Sequence, residues 1–356
     1  MNKIDFTLLQ QYRDNGLITM RKHPDGDLYI HNYTPMVQYG RHWDDVTRLC
    51  RGLITDGEGN IKARGFVKTF NIQEHTSEEI LSWHGKPYTI TVKMDGSLGI
   101  SYVAPDGKVA IATRGSFTSE QAQWATKYLW DRFPLFVLNA VMVCRDYTFL
   151  FEIIYPENKI VVDYGNRQDL VLLAIIKTAT GEEMPYTALE RTAQEYGFTV
   201  VPRYLGDWQA LPDHIPNEEG FVITFHHTVP PTRVKSKFDS YTRLHRILSY
   251  TNERGIWECL KNGVSLDSFL ENVPDEFYGW VREVEARLRE NFEGIKLTCK
   301  LDFKVLETRK DTALYFQTCT YPSVLFAMLD NKPIDRVIWK MLEPAGDAGY
   351  TKESAE

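Results

Sequence analysis

The feature of this sequence that most constrains its fold is a change of pattern near residue 240. Before this point, short runs rich in Val, Ile and Phe are separated by turn residues, as at 149–155 and 220–225, which is typical of β-strands. After it, apolar residues recur at steps of three and four, most clearly from Phe277 to Ile295. That spacing predicts amphipathic helices.

The order of the elements in the first part favours an α+β fold. Strands and helices do not alternate strictly there, so we expect antiparallel sheets rather than a doubly wound parallel sheet. The predicted domains are residues 1–243, which are strand-rich, and residues 244–356, which form an all-helical C-terminal domain of the helix-bundle class.

Local signals define individual elements of the first domain. Residues 88–97 and 101–116 both alternate apolar and polar positions around an Asp-Gly pair, and each predicts a β-hairpin. The other predicted elements are strands at 160–164 and 170–176, a helix at 118–133 with a capping box formed by Thr118 and Gln121, and a helix at 187–197 that ends at Gly197.

Composition limits the classes of function. The net charge is −7, and residues 1–243 and 244–356 hold 26 and 15 basic against 29 and 19 acidic residues, so neither domain is basic. A nucleic acid would have to be bound through a local patch. No run approaches the roughly 18 apolar residues of a membrane span, and the N-terminus does not resemble a signal peptide. We therefore expect a cytoplasmic protein without membrane contact, and a monomer by default because heptads are lacking.

The candidate chemistry starts with Lys93, at a strand end and followed by Met94, Asp95, Gly96 and Ser97. Phosphate-binding loops of the GxxxxGK[ST] and GxGxxG types are absent, as is HExxH. Taken alone, Lys93 is most simply a surface lysine beside a tight turn. The alternative is a nucleophile, since a neutral amine can attack phosphorus and a glycine turn lets a phosphate approach the backbone.

Other charged residues give this alternative its weight. Arg114 follows the second hairpin, Glu152 lies in a predicted strand, Glu219 starts another, and Lys235 and Lys237 share one face of a third. Each is unremarkable by itself. Together with Lys93 they supply a nucleophile, carboxylates for a divalent ion and cations for a triphosphate.

This ordered set resembles the covalent nucleotidyltransferase superfamily of polynucleotide ligases and mRNA capping enzymes, and more closely the ATP-dependent RNA ligase 1 family of T-even-type phages. The resemblance covers about residues 30–240. Arg114 stands where the family often has lysine, and Thr69 where it often has phenylalanine. The matching segments are CRGLIT (50–55), FVKTFN (66–71), KMDGS (93–97), FEIIYPENKIVVDYG (151–165), EEGFVI (218–223) and VKSK (234–237).

The resemblance implies a role for each matched residue. Lys93 would be the nucleophile that takes AMP, and Asp95 is expected to be structural, organising its turn. The phosphates would be contacted by Arg51, Lys68, Arg114 and Lys237, and in-line attack would be supported by Lys235. Phe70 would pack near the nucleotide, and Gly96 and Gly220 would let the nucleotide approach the backbone. Glu152 would bind the ribose or a metal ion, and Glu219 would bind a metal ion.

The implied function is an ATP-dependent RNA ligase that uses Mg²⁺ or Mn²⁺ to join 5′-phosphate and 3′-hydroxyl RNA ends through lysyl-AMP and RNA-adenylate. Its implied setting is RNA repair, with tRNA as a candidate substrate and, if phage-encoded, the host cytoplasm as its location. The alternatives are a capping-type or DNA-directed nucleotidyltransferase and a non-catalytic RNA-binding relative. The helical pattern after residue 240 argues against the five-stranded OB-fold that follows the catalytic domain in DNA ligases.

Overall fold

The architecture was taken from a computed structural model, which describes residues 2–242, 253–270 and 278–344. The chain divides into two compact units, Met1–Leu248 and Ser249–Glu356. The predicted domain boundary lies five residues before this division.

The first unit is built on three sheets, flanked by helices. Its strands are β1 (Ile18–Lys22), β2 (Leu28–Tyr33), β3 (Arg51–Asp56), β4 (Ile61–Ala63), β5 (Phe70–Asn71), β6 (Tyr88–Val92), β7 (Ser97–Val103), β8 (Val109–Ala112), β9 (Tyr147–Ile154), β10 (Asp169–Lys177), β11 (Thr199–Val200), β12 (Arg203–Tyr204), β13 (Gly220–Phe225) and β14 (Thr232–Lys237). Its α-helices are α1 (Phe6–Asp14), α2 (Pro35–Gly40), α3 (Asp45–Leu49), α4 (Ser77–Ser82), α5 (Glu120–Arg132), α6 (Pro134–Asp146) and α7 (Tyr186–Tyr196).

The sheets have four, five and five strands, in the orders β1-β2-β3-β4, β11-β10-β9-β7-β8 and β12-β6-β13-β14-β5. Neighbouring strands are antiparallel except in two pairs, β10 with β11 and β14 with β5. The predicted α+β class with antiparallel sheets is therefore confirmed.

The hairpin predicted at 88–97 is wrong, and the error matters for the site. Strand β6 pairs with β13, whereas β7 pairs with β8 and β9 in the other five-stranded sheet. Residues 93–96 carry the chain from one sheet into the other. Lys93 consequently lies at the junction of two sheets rather than at the tip of a hairpin.

Of the other local predictions, two are confirmed and two need correction. The hairpin at 101–116 is confirmed by the pairing of β7 with β8, and α7 ends as predicted, with Gly197 at φ +85°. The N-cap of helix α5 lies one residue later than predicted, because Ser119 rather than Thr118 accepts the hydrogen bond from the backbone N–H of Ala122. The strand predicted at 160–164 is absent, since two of its backbone amides donate to a carboxylate instead.

Strand β9 is fixed by packing on both of its faces. Phe149, Phe151 and Ile153 are buried in a core that includes residues of α5 and α6, while Leu150 is buried in a second core on the opposite face. Because successive side chains alternate between faces, Glu152 projects on the side of Leu150. A strand held this firmly fixes the position of that carboxylate.

The described part of the second unit contains helices only. They are α8 (Glu253–Lys261), α9 (Asp267–Leu270), α10 (Tyr278–Asp302), α11 (Arg309–Thr318), α12 (Pro322–Leu329) and α13 (Ile334–Met341). The buried residues of α10 follow the predicted spacing from Val281 to Ile295, whereas Phe277 and the helical pattern predicted across 243–252 lie outside the described residues. None of the helices described in either unit has the length and apolarity to cross a membrane.

Candidate active site

Three strands of one sheet bring two lysines and a glutamate together. Lys93 directly follows β6, Glu219 directly precedes β13, and Lys237 ends β14, with β13 lying between the other two strands. The backbone N–H of Lys93 donates to the carbonyl of Gly220 at 2.8 Å. The Nζ atoms of Lys93 and Lys237 donate to the two carboxylate oxygens of Glu219, at 2.6 and 2.7 Å respectively.

This cluster, Lys93–Glu219–Lys237, is deeply placed. The side chain of Glu219 is 1% exposed, and those of Lys93 and Lys237 are 21% and 10% exposed. Burial acts to raise the pKa of Glu219, but the two ammonium charges outweigh it and hold that pKa below its usual range. Glu219 is therefore a fixed negative charge between two amines at neutral pH.

Glu152 reaches the same region from the other sheet, where it pairs with Leu98. Burial raises its pKa to about 8, with smaller contributions from the negative charges of Glu219 and Asp95, and the charge of Lys93 only partly offsets this. Glu152 is therefore mostly protonated at neutral pH. The two glutamates of the site thus differ in charge because only Glu219 has cations against both of its oxygens.

Asp95 is structural, as predicted, but it reaches beyond its own turn. Asp95 is 4% exposed, and one of its carboxylate oxygens accepts hydrogen bonds from the backbone amides of Val161 and Val162 at 2.9 and 2.8 Å. The other oxygen accepts from the Tyr241 hydroxyl at 2.7 Å. These bonds tie the crossover between the sheets to two distant segments, and both carboxylate oxygens are occupied.

The two predicted glycines are required by the packing of the protein itself. A Cβ on Gly96 would lie 2.6 Å from the carbonyl oxygen of Ile153. Gly220 has φ +144°, and a Cβ there would lie 2.1 Å from the carbonyl oxygen of Ser236. Both glycines let strands approach closely around Lys93.

A cavity of about 190 Å³ opens beside Lys93. Its charged lining is mainly cationic, with Arg51, Lys93, Arg233 and Lys235 facing the single carboxyl group of Glu152. Its remaining lining is mostly apolar and contains Phe66, Thr69, Thr91, Val92, Met94, Gly96, Leu98, Leu173, Val201 and Val222. A cavity with these two kinds of wall suits a flat apolar group joined to phosphates.

Among the residues of this cavity that the sequence reasoning missed are Arg233 and Phe66. Arg233 forms a two-pronged ion pair with Glu183, with both N–O distances 2.7 Å, and its guanidinium carbon lies 4.0 Å from the ring centre of Phe66. Arg233 could have been predicted from the sequence, because it lies two residues before Lys235 on β14 and therefore on the same face as Lys235 and Lys237. Phe66 had no such signal beyond its place in the FVKTFN segment.

The other predicted cations gather around Tyr33. The Lys68 Nζ and an Arg114 guanidinium nitrogen donate to the Tyr33 hydroxyl at 3.3 and 3.4 Å. Lys68 is also 5.0, 5.0 and 5.5 Å from the ring centres of Tyr33, Trp43 and Phe70. Lys68 and Phe70 line a neighbouring cavity of about 240 Å³. The predicted site residues that line neither of the two cavities are Arg114, Glu219, Gly220 and Lys237.

The donor set limits how a metal ion would be held. Among the residues that the structure describes, no group of three or more His, Cys, Asp and Glu side chains is placed to hold one. Mg²⁺ is commonly bound by one or two carboxylates together with substrate phosphates and water. Glu152, which lines the cavity beside Lys93, fits that arrangement. Glu219 would join it only if a lysine left one of its two oxygens.

The family model described as RNA ligase matches residues 49–242, more than half of the chain. The chain belongs to this RNA ligase family. The matched segment contains every predicted site residue from Arg51 to Lys237. The expected membership of the RNA ligases is thus confirmed at family level, while the phage RNA ligase 1 type remains a prediction.

Individual relatives are more distant. The chain is 26% identical over 242 residues to a provisionally assigned RNA ligase of Thermovibrio ammonificans, covering 66% of this chain and 61% of that protein. It thus spans less than two thirds of that relative's length. Among solved structures, it resembles an archaeal ATP-dependent RNA ligase with a TM-score of 0.47 and 15% identity, covering 87% of this chain and 85% of that chain. It also resembles a provisionally assigned ATP-dependent DNA ligase from Aquifex aeolicus with a TM-score of 0.44 and 13% identity, covering 92% of this chain and 99% of that chain.

Proposed function

We propose that this protein is an ATP-dependent RNA ligase in which Lys93 is the nucleophile. The observation that carries the proposal is the buried ion-pair cluster Lys93–Glu219–Lys237 beside a cavity whose charged walls are mainly cationic. Lys237 holds the second oxygen of the same buried carboxylate, so the Lys93 amine is fixed beside the cavity. Membership of the RNA ligase family supports the same assignment.

In the first step, the Lys93 Nζ attacks the α-phosphorus of ATP. A P–N bond forms, the bond between this phosphorus and the bridging oxygen breaks, and pyrophosphate leaves with the electron pair. The amine has to lose a proton before or during attack, and Glu219, at 2.6 Å, is the acceptor within reach. Lys237 holds the other carboxylate oxygen, so Glu219 also fixes the direction of the attacking amine.

In the later steps, AMP passes from Lys93 to the 5′-phosphate of an RNA strand, and a 3′-hydroxyl then displaces AMP to join the ends. Each step moves negative charge between phosphates, so catalysis depends on positioned cations. Arg51 and Lys235 line the cavity in which this charge would develop. Their role is to stabilise the phosphates of the group being transferred.

Mg²⁺ or Mn²⁺ would be held by Glu152 and Glu219 together with phosphate oxygens, and would neutralise charge on the phosphates. Glu152 would have to give up its proton to become a ligand, because burial raises its pKa to about 8. Its carboxyl is otherwise placed to donate a hydrogen bond to a ribose hydroxyl. Metal binding at this residue should therefore strengthen as the pH rises towards 8.

We further propose that the substrate is RNA with 5′-phosphate and 3′-hydroxyl ends, with tRNA as a candidate, and that the protein is of the phage RNA ligase 1 type acting in RNA repair. The predicted C-terminal domain, residues 244–356, would contribute RNA preference. A chain truncated after residue 245 should then still be adenylylated while losing discrimination among RNA substrates.

The test is incubation with α-labelled ATP or GTP and a divalent ion, followed by denaturing electrophoresis and a chase with 5′-phosphorylated RNA or DNA. We expect a labelled band from ATP alone that RNA discharges. Label from GTP alone would indicate a capping-type enzyme, and discharge by DNA alone would indicate a DNA-directed one. No label in folded, unadenylylated protein would contradict the proposal and favour a non-catalytic RNA-binding relative.

A further inference from the structure

Helix α10 carries apolar residues on two opposite faces. The helix packs against α8 and α13, and its inner face holds the buried side chains from Val281 to Cys299. On its outer face, Leu297 and Leu301 lie one turn apart and are 59% and 77% exposed. Adjoining exposed leucines form an apolar patch, and such patches mark interaction surfaces. The outer face consists of Glu290, Glu293, Gly294, Leu297, Lys300 and Leu301.

The charged residues of the outer face are separated by sign along the helix. At 3.6 residues per turn, every residue of this face points within about 60° of Leu297. Glu290 and Glu293 precede the leucines, whereas Lys300 lies in the last turn, and all three are exposed. None of the three makes an ion pair with any residue that the structure describes. The outer face is therefore acidic towards its N-terminal end and basic towards its C-terminal end.

Gly294 supplies an independent observation. A glycine in an exposed helix interior weakens the helix relative to alanine. Packing within the described part of the chain does not require glycine here, because a Cβ at Gly294 would meet no atom within 4 Å beyond its own helix backbone. A residue without a side chain lets another segment approach the backbone closely. Gly294 thus fits a helix face that is covered by another helix.

The order of the charges matches a second copy of the same helix that runs in the opposite direction. In an antiparallel pair with a two-fold axis at Leu297, each residue before Leu297 faces the residue equally far after it in the other copy. Glu293 then faces the turn that carries Lys300 and Leu301, and the reverse contact forms as well. A parallel pair would instead place Glu293 against Glu293 and Lys300 against Lys300, and these like charges repel.

We propose that the outer face of α10 is a homodimer interface in which two copies of the helix pair antiparallel. Two ion pairs between Glu293 and Lys300 of opposite copies flank the leucines, and Gly294 leaves room for Leu301 of the other copy. The sequence favoured a monomer only by default, because heptads are lacking, and a contact confined to one patch needs no heptad repeat. The dimer does not depend on the proposed ligase function.

Sedimentation equilibrium of the full chain measures the association. The outer face spans about 17 Å along the helix, and small interfaces give weak complexes. We therefore expect a reversible monomer–dimer equilibrium at protein concentrations from about 1 to 200 μM. A wild-type chain that stays monomeric throughout this range would overturn the proposal.

Two charge reversals test the antiparallel order. Glu293→Lys and Lys300→Glu each turn both ion pairs into repulsive contacts, and each should weaken association by about tenfold or more. An equimolar mixture of the two variants restores both ion pairs between unlike copies, so its association should return close to the wild-type strength. Glu190→Lys, with the same change of charge at an exposed position of α7, is the matched control and should associate like the wild type. A mixture that associates no better than either variant alone would overturn the pairing.

Gly294→Ala separates the interface from the stability of the helix itself. Alanine favours the helix, so the melting temperature of the monomer should rise, while the added methyl group should weaken association. Unchanged association would contradict the close approach and overturn the interface. RNA is the other occupant tested, by filter binding of 5′-phosphorylated RNA. If Lys300→Glu weakens RNA binding and leaves association unchanged, the outer face binds RNA and the dimer interface is wrong.

Discussion

Replacing Glu219 with glutamine removes the one charge that two lysines share. The side chain is 1% exposed, and its oxygens are 2.6 and 2.7 Å from the Nζ atoms of Lys93 and Lys237. Removing one partner of a buried ion pair typically costs 3–5 kcal/mol. The lysines are 21% and 10% exposed and can recover some hydration, so we expect a loss of about 3 kcal/mol at pH 7.

The pH dependence of this loss follows from the pKa of Glu219, which lies below its ordinary value of 4.5. A carboxylate with a depressed pKa stabilises the fold fully above its unfolded pKa, and this stabilisation disappears as the pH falls through the folded pKa. The difference in stability between the wild type and Glu219→Gln should therefore shrink below about pH 4.5. It should also narrow towards pH 8, because the pKa of Glu152 is raised less when the negative charge of Glu219 is absent.

Urea denaturation at several pH values measures this difference, with Glu190→Gln on the exposed side of α7 as the matched control. The control should lie within about 0.5 kcal/mol of the wild type. A Glu219→Gln protein as stable as the wild type at pH 7, or a difference that grows as the pH falls below about 4.5, would refute the ion-pair account.

Three further changes test other parts of the site. Gly220 has φ +144°, and Gly220→Ala places a methyl group 2.1 Å from the Ser236 carbonyl oxygen. This change should lower the melting temperature markedly, and an unchanged melting temperature would contradict the close approach of the strands. Asp95→Ala leaves two backbone amides and a hydroxyl without their acceptor and should cost on the order of 3 kcal/mol in urea denaturation; a cost within 0.5 kcal/mol would be inconsistent with its tethering role. The pKa of Glu152 is raised to about 8 from an ordinary 4.5. Between these two pH values the unfolded chain therefore binds fewer protons than the folded chain, so the stability of the wild type should fall as the pH rises. Glu152→Gln should lose this dependence, and an identical slope in both proteins would rule out the raised pKa.

The sequence was informative wherever a local pattern determines structure or a motif determines chemistry. Periodicity defined the buried face of α10, and runs rich in Val, Ile and Phe located β9 and β13. The ordered motifs indicated Lys93, Glu219 and Lys237, and the structure places both lysines within hydrogen-bonding distance of Glu219. Their catalytic roles remain predictions.

The errors lie where distant contacts override local signals. Residues 88–97 carry a strong hairpin pattern, yet β6 finds its partner in β13, more than 120 residues later, and β7 finds its partner in β9. Residues 160–164 have the composition of a strand, but the Asp95 carboxylate takes the amides of Val161 and Val162. The aromatic surroundings of Lys68 likewise depend on Tyr33 and Trp43, and no local pattern indicates that these rings lie near Lys68.

The most direct test of the central claim is to locate the nucleotide on the chain. The protein is incubated with ATP and a divalent ion and digested at alkaline pH to preserve the phosphoramidate. The peptide that carries AMP is then sequenced by mass spectrometry, with Lys86→Ala, an exposed lysine, as the matched control. We predict AMP on Lys93 in the wild type and in the control, and none in Lys93→Arg, whose guanidinium stays protonated. AMP on another residue, or labelling that survives the loss of Lys93, would contradict the account.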